Sequence, residues 1–292
     1  GQTIDNGSLR LLDTLGCGGF GAVFRAIAPK GRGPSNTRVF AVKVIAKKSD
    51  PRAAQEQMRE LAYHKRVSSH PNVVTLHRHF SDSTFIYVVL DVVLGGDLFT
   101  AIVDKATYYC NEGLTKKIFV QILDAVAWCH SRGVFHRDLK PENVLLSSNG
   151  LHAYLTDFGL ATENKISKTF GVGSRAYMSP QVINEDLDCD SYSTPHNDIW
   201  ALGCVLLNML AGCGLWKRAV YADRTFMLYR QDRNLLHEAL PITKSAGRIL
   251  RRVFTMDPAK RISLAHLRVA VIEVDRLYLT ADELNLATEE VQ

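Results

Sequence analysis

His136-Arg137-Asp138-Leu139-Lys140-Pro141-Glu142-Asn143 is the stretch from which the rest of this 292-residue chain is read. It sets a carboxylate, an ammonium and a carboxamide, on Asp138, Lys140 and Asn143, within a few residues of one another. Transfer of a phosphoryl group needs each of them. A carboxylate orients and deprotonates the attacking hydroxyl. Positive charge beside the transferred group offsets the charge that develops there. Oxygen ligands such as a carboxamide hold magnesium, a hard cation. Asp157-Phe158-Gly159 follows, nineteen residues after Asp138, beyond the apolar strand Val144-Leu145-Leu146 and a Ser-Ser-Asn-Gly turn, and Asp157 supplies a second metal ligand. A chance collection of polar loop residues would not be accompanied, in order, by the segments that precede and follow it.

Toward the N-terminus, Gly16-Cys17-Gly18-Gly19-Phe20-Gly21 spells G-x-G-x-x-G. A dinucleotide fingerprint would need a helix directly after the glycines and an acid about twenty residues on. Here Ala22–Ile27 alternates as a strand does, so the glycines belong to a hairpin, where backbone amides can approach phosphate oxygens without a Cβ in the way. Lys43 lies in the strand pattern Phe40-Ala41-Val42-Lys43-Val44-Ile45, spaced to aim at phosphates under that hairpin. Glu60, seventeen residues on, falls on a helix expected to pack behind the sheet, and an ion pair would fix the flexible lysine stem. Glu56, one turn earlier, is the alternative partner.

Short β-branched and apolar runs at Leu9–Leu15, Ala22–Ile27, Phe40–Ile45, Val73–Phe80 and Phe85–Asp91 predict strands, with a loop over Pro29–Asn36. A helix is expected over Ala53–Val67, burying Met58, Leu61 and the Ala62/Tyr63 side. After Gly95 the pattern turns helical. Thr115 is a candidate cap for a helix burying Phe119, Ile122, Leu123, Val126 and Cys129. Ile199–Ala211, apolar nearly all round, reads as the central helix of a large lobe. The two halves meet near residues 91–95, with a cleft between them.

Bulk composition narrows the classes. A formal net charge of +5 is spread over isolated pairs such as Lys47-Lys48, Arg251-Arg252 and Lys260-Arg261, the pattern of a solvated face rather than a nucleic-acid stripe. Six cysteines form no CxxC pair or zinc spacing. No leader pattern is seen, and Ile199–Ala211 is shorter than the ~20 residues of a bilayer span. A reducing, soluble compartment is the expectation, and the chain reads as an excised catalytic domain.

On these motifs the chain resembles the eukaryotic protein kinase family over about residues 9–270. The resemblance implies an α+β, bilobal fold: a small β-rich N-lobe (1–91) and a large, mainly α-helical C-lobe (92–292), together one domain binding ATP and Mg2+ between them. It implies that Leu15, Val23 and Ala41 roof the adenine, Leu145 floors it, and Gly16, Cys17, Gly18, Gly19, Phe20 and Gly21 cover the phosphates with Lys43. Leu90 stands as gatekeeper, Asp91-Val92-Val93 as hinge and Asp97 near the ribose. Asp138, Lys140, Asn143, Asp157, Lys43, Glu60 and Ser174 are the implied catalytic set, with Asn143 and Asp157 on metal. His64, Leu76, His136 and Phe158 match an apolar stack that aligns in active members.

Leu139-Lys140-Pro141-Glu142 is the serine/threonine form of the loop, and Gly173-Ser174-Arg175-Ala176-Tyr177 agrees with it. The implied partners are protein substrates with Ser or Thr acceptors. A weak basic preference upstream is implied by Asp97 and Glu142 and softened by Asn208. A monomeric catalytic domain without nucleic-acid or membrane partners, cytoplasmic and/or nuclear, completes the expectation. Phe170-Gly171-Val172-Gly173-Ser174, Tyr177-Met178-Ser179-Pro180, Tyr192-Ser193-Thr194 and Leu215-Trp216-Lys217-Arg218-Ala219 further resemble fungal nutrient-response and meiosis-regulating kinases.

Two positions depart from the family pattern. Gln181 replaces a glutamate whose partner would be Arg261, which predicts a buried guanidinium short of a counter-charge. Phe170 occupies the usual activation-loop phosphosite, with Ser167 and Thr169 adjacent, so Arg137 is expected to lack a phosphate partner. Two rival classes are an ATP-binding pseudokinase scaffold, which would have lost Lys43, Asp138, Asn143 or Asp157, and a small-molecule kinase, which would lack Tyr177-Met178-Ser179-Pro180.

Overall fold

The computed structural model describes residues 2–18, 21–29 and 37–286. Strands β1 (Thr3–Ile4), β2 (Leu9–Gly18), β3 (Gly21–Pro29), β4 (Thr37–Ala46), β5 (Leu76–Ser81) and β6 (Phe85–Asp91) form a six-stranded sheet in the order β1-β2-β3-β4-β6-β5. The loop expected over Pro29–Asn36 lies, from residue 30 on, outside the described residues. Because successive strand residues face opposite sides, β4 and β6 feed two cores. Phe40, Val42, Tyr87 and Val89 join Leu9, Leu11 and Ala26 on one face, while Ala41, Ile86, Val88 and Leu90 join Leu61 and Leu76 on the other.

Helix α1 (Pro51–Val67) packs on that second face. Asp50 caps it, accepting from Ala53 N at 2.8 Å, and Pro51 sits where a missing N–H costs nothing. Its buried residues are Leu61, Tyr63, His64 and Val67. Met58 and Ala62, expected on the buried side, are exposed, Met58 by 46%. The reason is that Gln57 faces the sheet at that turn, accepting from Lys48 N (3.0 Å) and donating to Ala46 O (2.8 Å), so the inward line runs 57, 61, 64. Lys65 reaches over β5, its Nζ donating to the carbonyls of Leu76 and His77, both at 2.9 Å. Arg78 of β5 donates to Asp5 Oδ2 at 2.6 Å, joining β5 to the turn after β1.

β5 begins at Leu76 rather than at Val73. Val73 instead forms a parallel bridge with Leu155, and Val74 N donates to Leu155 O at 2.9 Å, so this segment joins the helical part.

The helical part contains α2 (Leu98–Val103), α3 (Glu112–Ser131), the hairpin β7 (Val144–Leu146) and β8 (Ala153–Leu155), and the pair β9 (Ile166–Ser167) and β10 (Tyr192–Ser193). Between and after these come α4 (Pro180–Ile183), α5 (Thr194–Ala211), α6 (Arg224–Gln231), α7 (Leu235–Glu238), α8 (Lys244–Val253), α9 (Leu264–Glu273) and α10 (Ala281–Asn285). Asn111, not Thr115, caps α3, accepting from Leu114 N at 3.3 Å. Thr115 lies buried inside α3 with its hydroxyl turned to Tyr108 O, a position Asn111 leaves open by starting the helix one turn earlier. The expected buried face of α3 is observed.

α5 is buried along nearly its whole length, and Trp200 packs against Trp216, Phe226 and Phe254. Only glycine fits at 203, where a β-carbon would lie 2.3 Å from Val253 Cγ1. Among the described residues no helix is long and apolar enough to cross a membrane.

Candidate active site

A cleft of about 460 Å³ opens between the sheet and the β7–β8 hairpin. It is lined by Leu15, Gly16, Cys17, Gly18, Gly21, Val23, Ala41, Lys43, Leu90, Asp91, Val93, Asp97 and Leu145, together with Glu60, Asn143 and Asp157. The structure therefore brings together the residues singled out from sequence for this cleft, save Gly19 and Phe20, which lie outside the described residues. The glycines form a hairpin, with Gly18 opposite Gly21 across β2 and β3. Gly21 has φ 116°, and a β-carbon there would lie 2.2 Å from Val44 O, so β2–β3 can fold over β4 only with glycine at this position.

Lys43 points into the cleft from β4 and Glu60 from α1, with Nζ to Oε1 at 3.4 Å. Glu56 stands outside that pair. His64, one turn after Glu60, donates from Nε2 to Val74 O at 2.7 Å and its ring contacts Phe158, whose ring contacts His136 in turn. Leu76 is fully buried beside them. Burial pushes the His64 imidazole down to about 4, partly opposed by its bond to Val74 O, so it is neutral near pH 7.

On the other side of the cleft, the catalytic stretch is hung from Asp198 of α5. Asp198 is 0% exposed. It accepts from His136 N at 2.9 Å, Arg137 N at 2.8 Å and His130 Nε2 at 2.8 Å. Arg137 adopts φ 64°, an uncommon conformation for a side-chain-bearing residue, and the Asp198 bonds hold it there. Asp157 has φ 62°.

Asp138, Lys140 and Ser174 form a compact group. Lys140 Nζ lies 2.9 Å from Asp138 Oδ2 and donates to Ser174 Oγ at 2.8 Å. Asn143 Nδ2 donates to Asp138 O at 2.8 Å and Oδ2 at 3.3 Å. Burial alone would raise the Asp138 carboxyl, but Lys140 and Ser174 outweigh it and hold the carboxyl below the usual carboxylate range. Asp138 Oδ1 is buried and, among the described residues, has no hydrogen-bond partner. Gly173 comes so close that a β-carbon on it would meet Arg137 O at 2.5 Å.

For a divalent cation, no group of three or more His, Cys, Asp or Glu is found among the described residues. Asn143 and Asp157 nonetheless line the same cleft, and Asn143 spends its amide N–H groups on Asp138, leaving a carbonyl oxygen. Two oxygen ligands fit magnesium, which typically takes its remaining ligands from phosphates and water. Asp97 divides its role, since Oδ1 caps α2 by accepting from Thr100 N at 2.7 Å.

The segment from residue 166 to 178 is fastened by strand pairing and apolar packing. Ser167 pairs with Tyr192 and Ile166 with Ser193 between β9 and β10. The Phe170 ring contacts Tyr192, both packing with Met178, Val182 and Ile183. Gly171 N donates to Val182 O at 2.8 Å. Arg137 Nε donates to Leu160 O at 2.6 Å.

Gln181 does meet Arg261, accepting from Nη2 at 3.1 Å while donating to Met256 O at 2.6 Å. Arg261 also donates to His196 O (2.8 Å) and Thr255 O (3.1 Å) and lies over the Trp200 ring. Burial pushes this guanidinium down to about 10. As Gln181 led one to expect, no carboxylate is among these hydrogen-bond partners; four neutral acceptors, counting the ring face, take up the guanidinium instead.

Sequence reading missed Thr156, Gly96 and Val88 in the cleft wall, and the anchoring role of Asp198. The signal for Asp198 was available: it is the one acid on α5, beside the apolar run that begins at Ile199.

Comparison with known proteins places this geometry. Residues 9–270 match the family model described as protein kinase domain. The chain is 38% identical over 291 residues to the "Negative regulator of sexual conjugation and meiosis" of Schizosaccharomyces pombe, covering 93% of this chain and 61% of that protein. It is 38% identical to the serine/threonine-protein kinase SKS1 of Saccharomyces cerevisiae, over 72% of this chain and 44% of that one. To the serine/threonine-protein kinase ksp1 of S. pombe it is 39% identical, over 74% and 46%. The chain thus spans about half the length of the curated relatives it matches.

Proposed function

This chain belongs to the protein kinase family, and on that premise we propose that it transfers the γ-phosphate of ATP to serine and threonine hydroxyls of protein substrates. The observation that carries the reading is Asp138 Oδ1, a buried carboxylate oxygen without a partner beside a fully engaged Oδ2. A substrate hydroxyl donating to Oδ1 would satisfy it, since a buried unpaired acceptor costs about 1–3 kcal/mol. Asp138 accepts the hydroxyl proton as the oxygen attacks. Lys140, steadied by Ser174, offsets charge on the transferred group.

In the cleft, Lys43 held by Glu60 grips the phosphates. Gly16 to Gly21 cover them, and Leu15, Val23, Ala41 and Leu145 sandwich the adenine beside Leu90, Asp91 and Val93. Asp97 serves the ribose. Magnesium, when bound to Asn143 and Asp157, neutralises phosphate charge. On this reading the nucleotide lies between residues 1–91 and residues 92–292, and the acceptor meets the latter. Exposed Glu142 and half-buried Asp97 favour basic residues upstream only weakly, because Asn208 is buried and its side chain is engaged with Tyr177. We place the domain in the cytoplasm and/or nucleus, as a monomer acting on protein rather than nucleic acid or membrane.

The test is to incubate the purified chain with magnesium, labelled ATP and arrayed serine, threonine and tyrosine peptides. Label on serine and threonine is expected. In parallel, calorimetric ATP titrations should show magnesium-dependent binding that Asp157→Ala loses. ATP binding indifferent to magnesium, without label transfer, would shift the assignment to a scaffold.

A further inference from the structure

Beside the acceptor site lies a second cavity of about 240 Å³, lined by Gly171, Arg175, Met178, Ile183, Glu185 and Arg218. A β-carbon on Gly173 would stand 3.7 Å from Asp138 Oδ1, so the chain at 171–175 runs directly past the carboxylate that faces the acceptor. Two extended residues span about 7 Å. A substrate whose hydroxyl reaches Asp138 therefore lays a residue one or two positions away into this cavity.

The charge of the cavity is unbalanced. Glu185 is already paired with Arg218 across one wall. Arg175 is exposed and, among the described residues, makes no hydrogen bond or ion pair. Met178, 5% exposed, and Ile183 supply apolar lining. Gly171 has φ 67° and open space around its β-position, so no side chain fills the entrance.

We propose that this cavity selects an acidic side chain, aspartate or glutamate, one or two residues from the phosphoacceptor, with Arg175 as the residue that reads it. This deepens the phosphotransfer reading and rests on it. Met178 and Ile183 accept the methylenes of the acid while Arg175 meets its carboxylate in a fork. Arg218 contributes by keeping Glu185 neutralised.

The experiment uses one serine peptide with glutamate, alanine or lysine placed singly at each of the three positions on either side of the acceptor. For wild type, kcat/KM for glutamate over lysine should reach roughly tenfold at one position, as expected from an attraction and a repulsion of partly exposed charges. Arg175→Glu should invert that ratio, and Arg218→Ala should shrink it. Ratios unchanged in both variants, or a wild type indifferent to charge within two residues of the acceptor, would overturn the proposal. Peptide affinity by fluorescence anisotropy separates the two readings. A wild type that labels no peptide yet binds the glutamate series more tightly than the lysine series supports the cavity and counts against phosphotransfer. Equal affinities overturn the cavity assignment as well.

Discussion

The loop at 136–143 and the segment at 166–178 lie side by side and are fastened by opposite means. The first hangs on buried polar atoms: Asp198 takes two backbone N–H groups and an imidazole, and Lys140 and Asn143 hold Asp138. The second is held by a short strand pair and an apolar cluster around Phe170 and Tyr192. Hydrogen bonds fix direction, which a proton-accepting carboxylate needs, whereas burial fixes presence more than angle. On the proposed function the second segment presents the peptide, and can tolerate that looser fastening. Its clasp is Phe170 packed against Tyr192.

The comparison is broken most decisively at Asp138. Asp138→Asn should lower turnover by ~10²–10⁴-fold while nucleotide affinity stays close to wild type, because on the proposed function the carboxylate serves the acceptor hydroxyl and not the nucleotide. Turnover above about a tenth of wild type would remove Asp138 from its role. Next is Asp198→Ala, which strands His136 N, Arg137 N and His130 together. We expect on the order of 3 kcal/mol of lost stability and a matching loss of turnover, with Asp198→Asn intermediate. Thermal melts and rates on one preparation read both.

Phe170→Ala tests the other side. Half-buried, it should cost roughly 2 kcal/mol, and it should raise KM for peptide several-fold while leaving KM for ATP alone. Phosphatase treatment of the wild type should change neither. A sharp loss of activity on dephosphorylation would show that Ser167 or Thr169, not the aromatic clasp, fastens the segment. The smallest effect belongs to Gln181→Glu. A charged bond to Arg261 is gained and the donor to Met256 O is lost, so stability should move by less than about 1 kcal/mol in either direction. In an Arg261→Ala background the same change should turn clearly destabilising, since the new carboxylate is then buried without a cation.

These cases also show what was legible beforehand. Asp138, Lys140 and Asn143 could be read because one short turn, Pro141–Asn143, fixes their spacing locally. Lys43 and Glu60 could be read because strand and helix periodicities each point one side chain inward. Asp198 is sixty residues from the loop it holds, and no local rule connects them, although an acid within α5 needed an explanation. Gln181 was legible only in part. A pattern records a missing charge but not that an amide donates and accepts at once, nor that His196 O and Thr255 O take up the rest of Arg261. Asn111 and Thr115 are equally good caps by type, and only tertiary packing of α3 separates them. Met58 matched the helical stripe, but Gln57's two backbone partners, neither on its own helix, decided which side turned in.

The sheet's outermost strands carry a further consequence, for solubility at high concentration. A strand at the rim normally leaves carbonyls and N–H groups open to a strand from a neighbouring molecule. On β5 the carbonyls of Leu76 and His77 are already taken by the Lys65 ammonium. Arg78 ties the same strand to Asp5, and β1 at the opposite rim is only two residues long. Edge-to-edge stacking of two copies along β5 must therefore first expel a charged side chain from two hydrogen bonds. This is a standing barrier to the ladder growth that leads to fibrous aggregates.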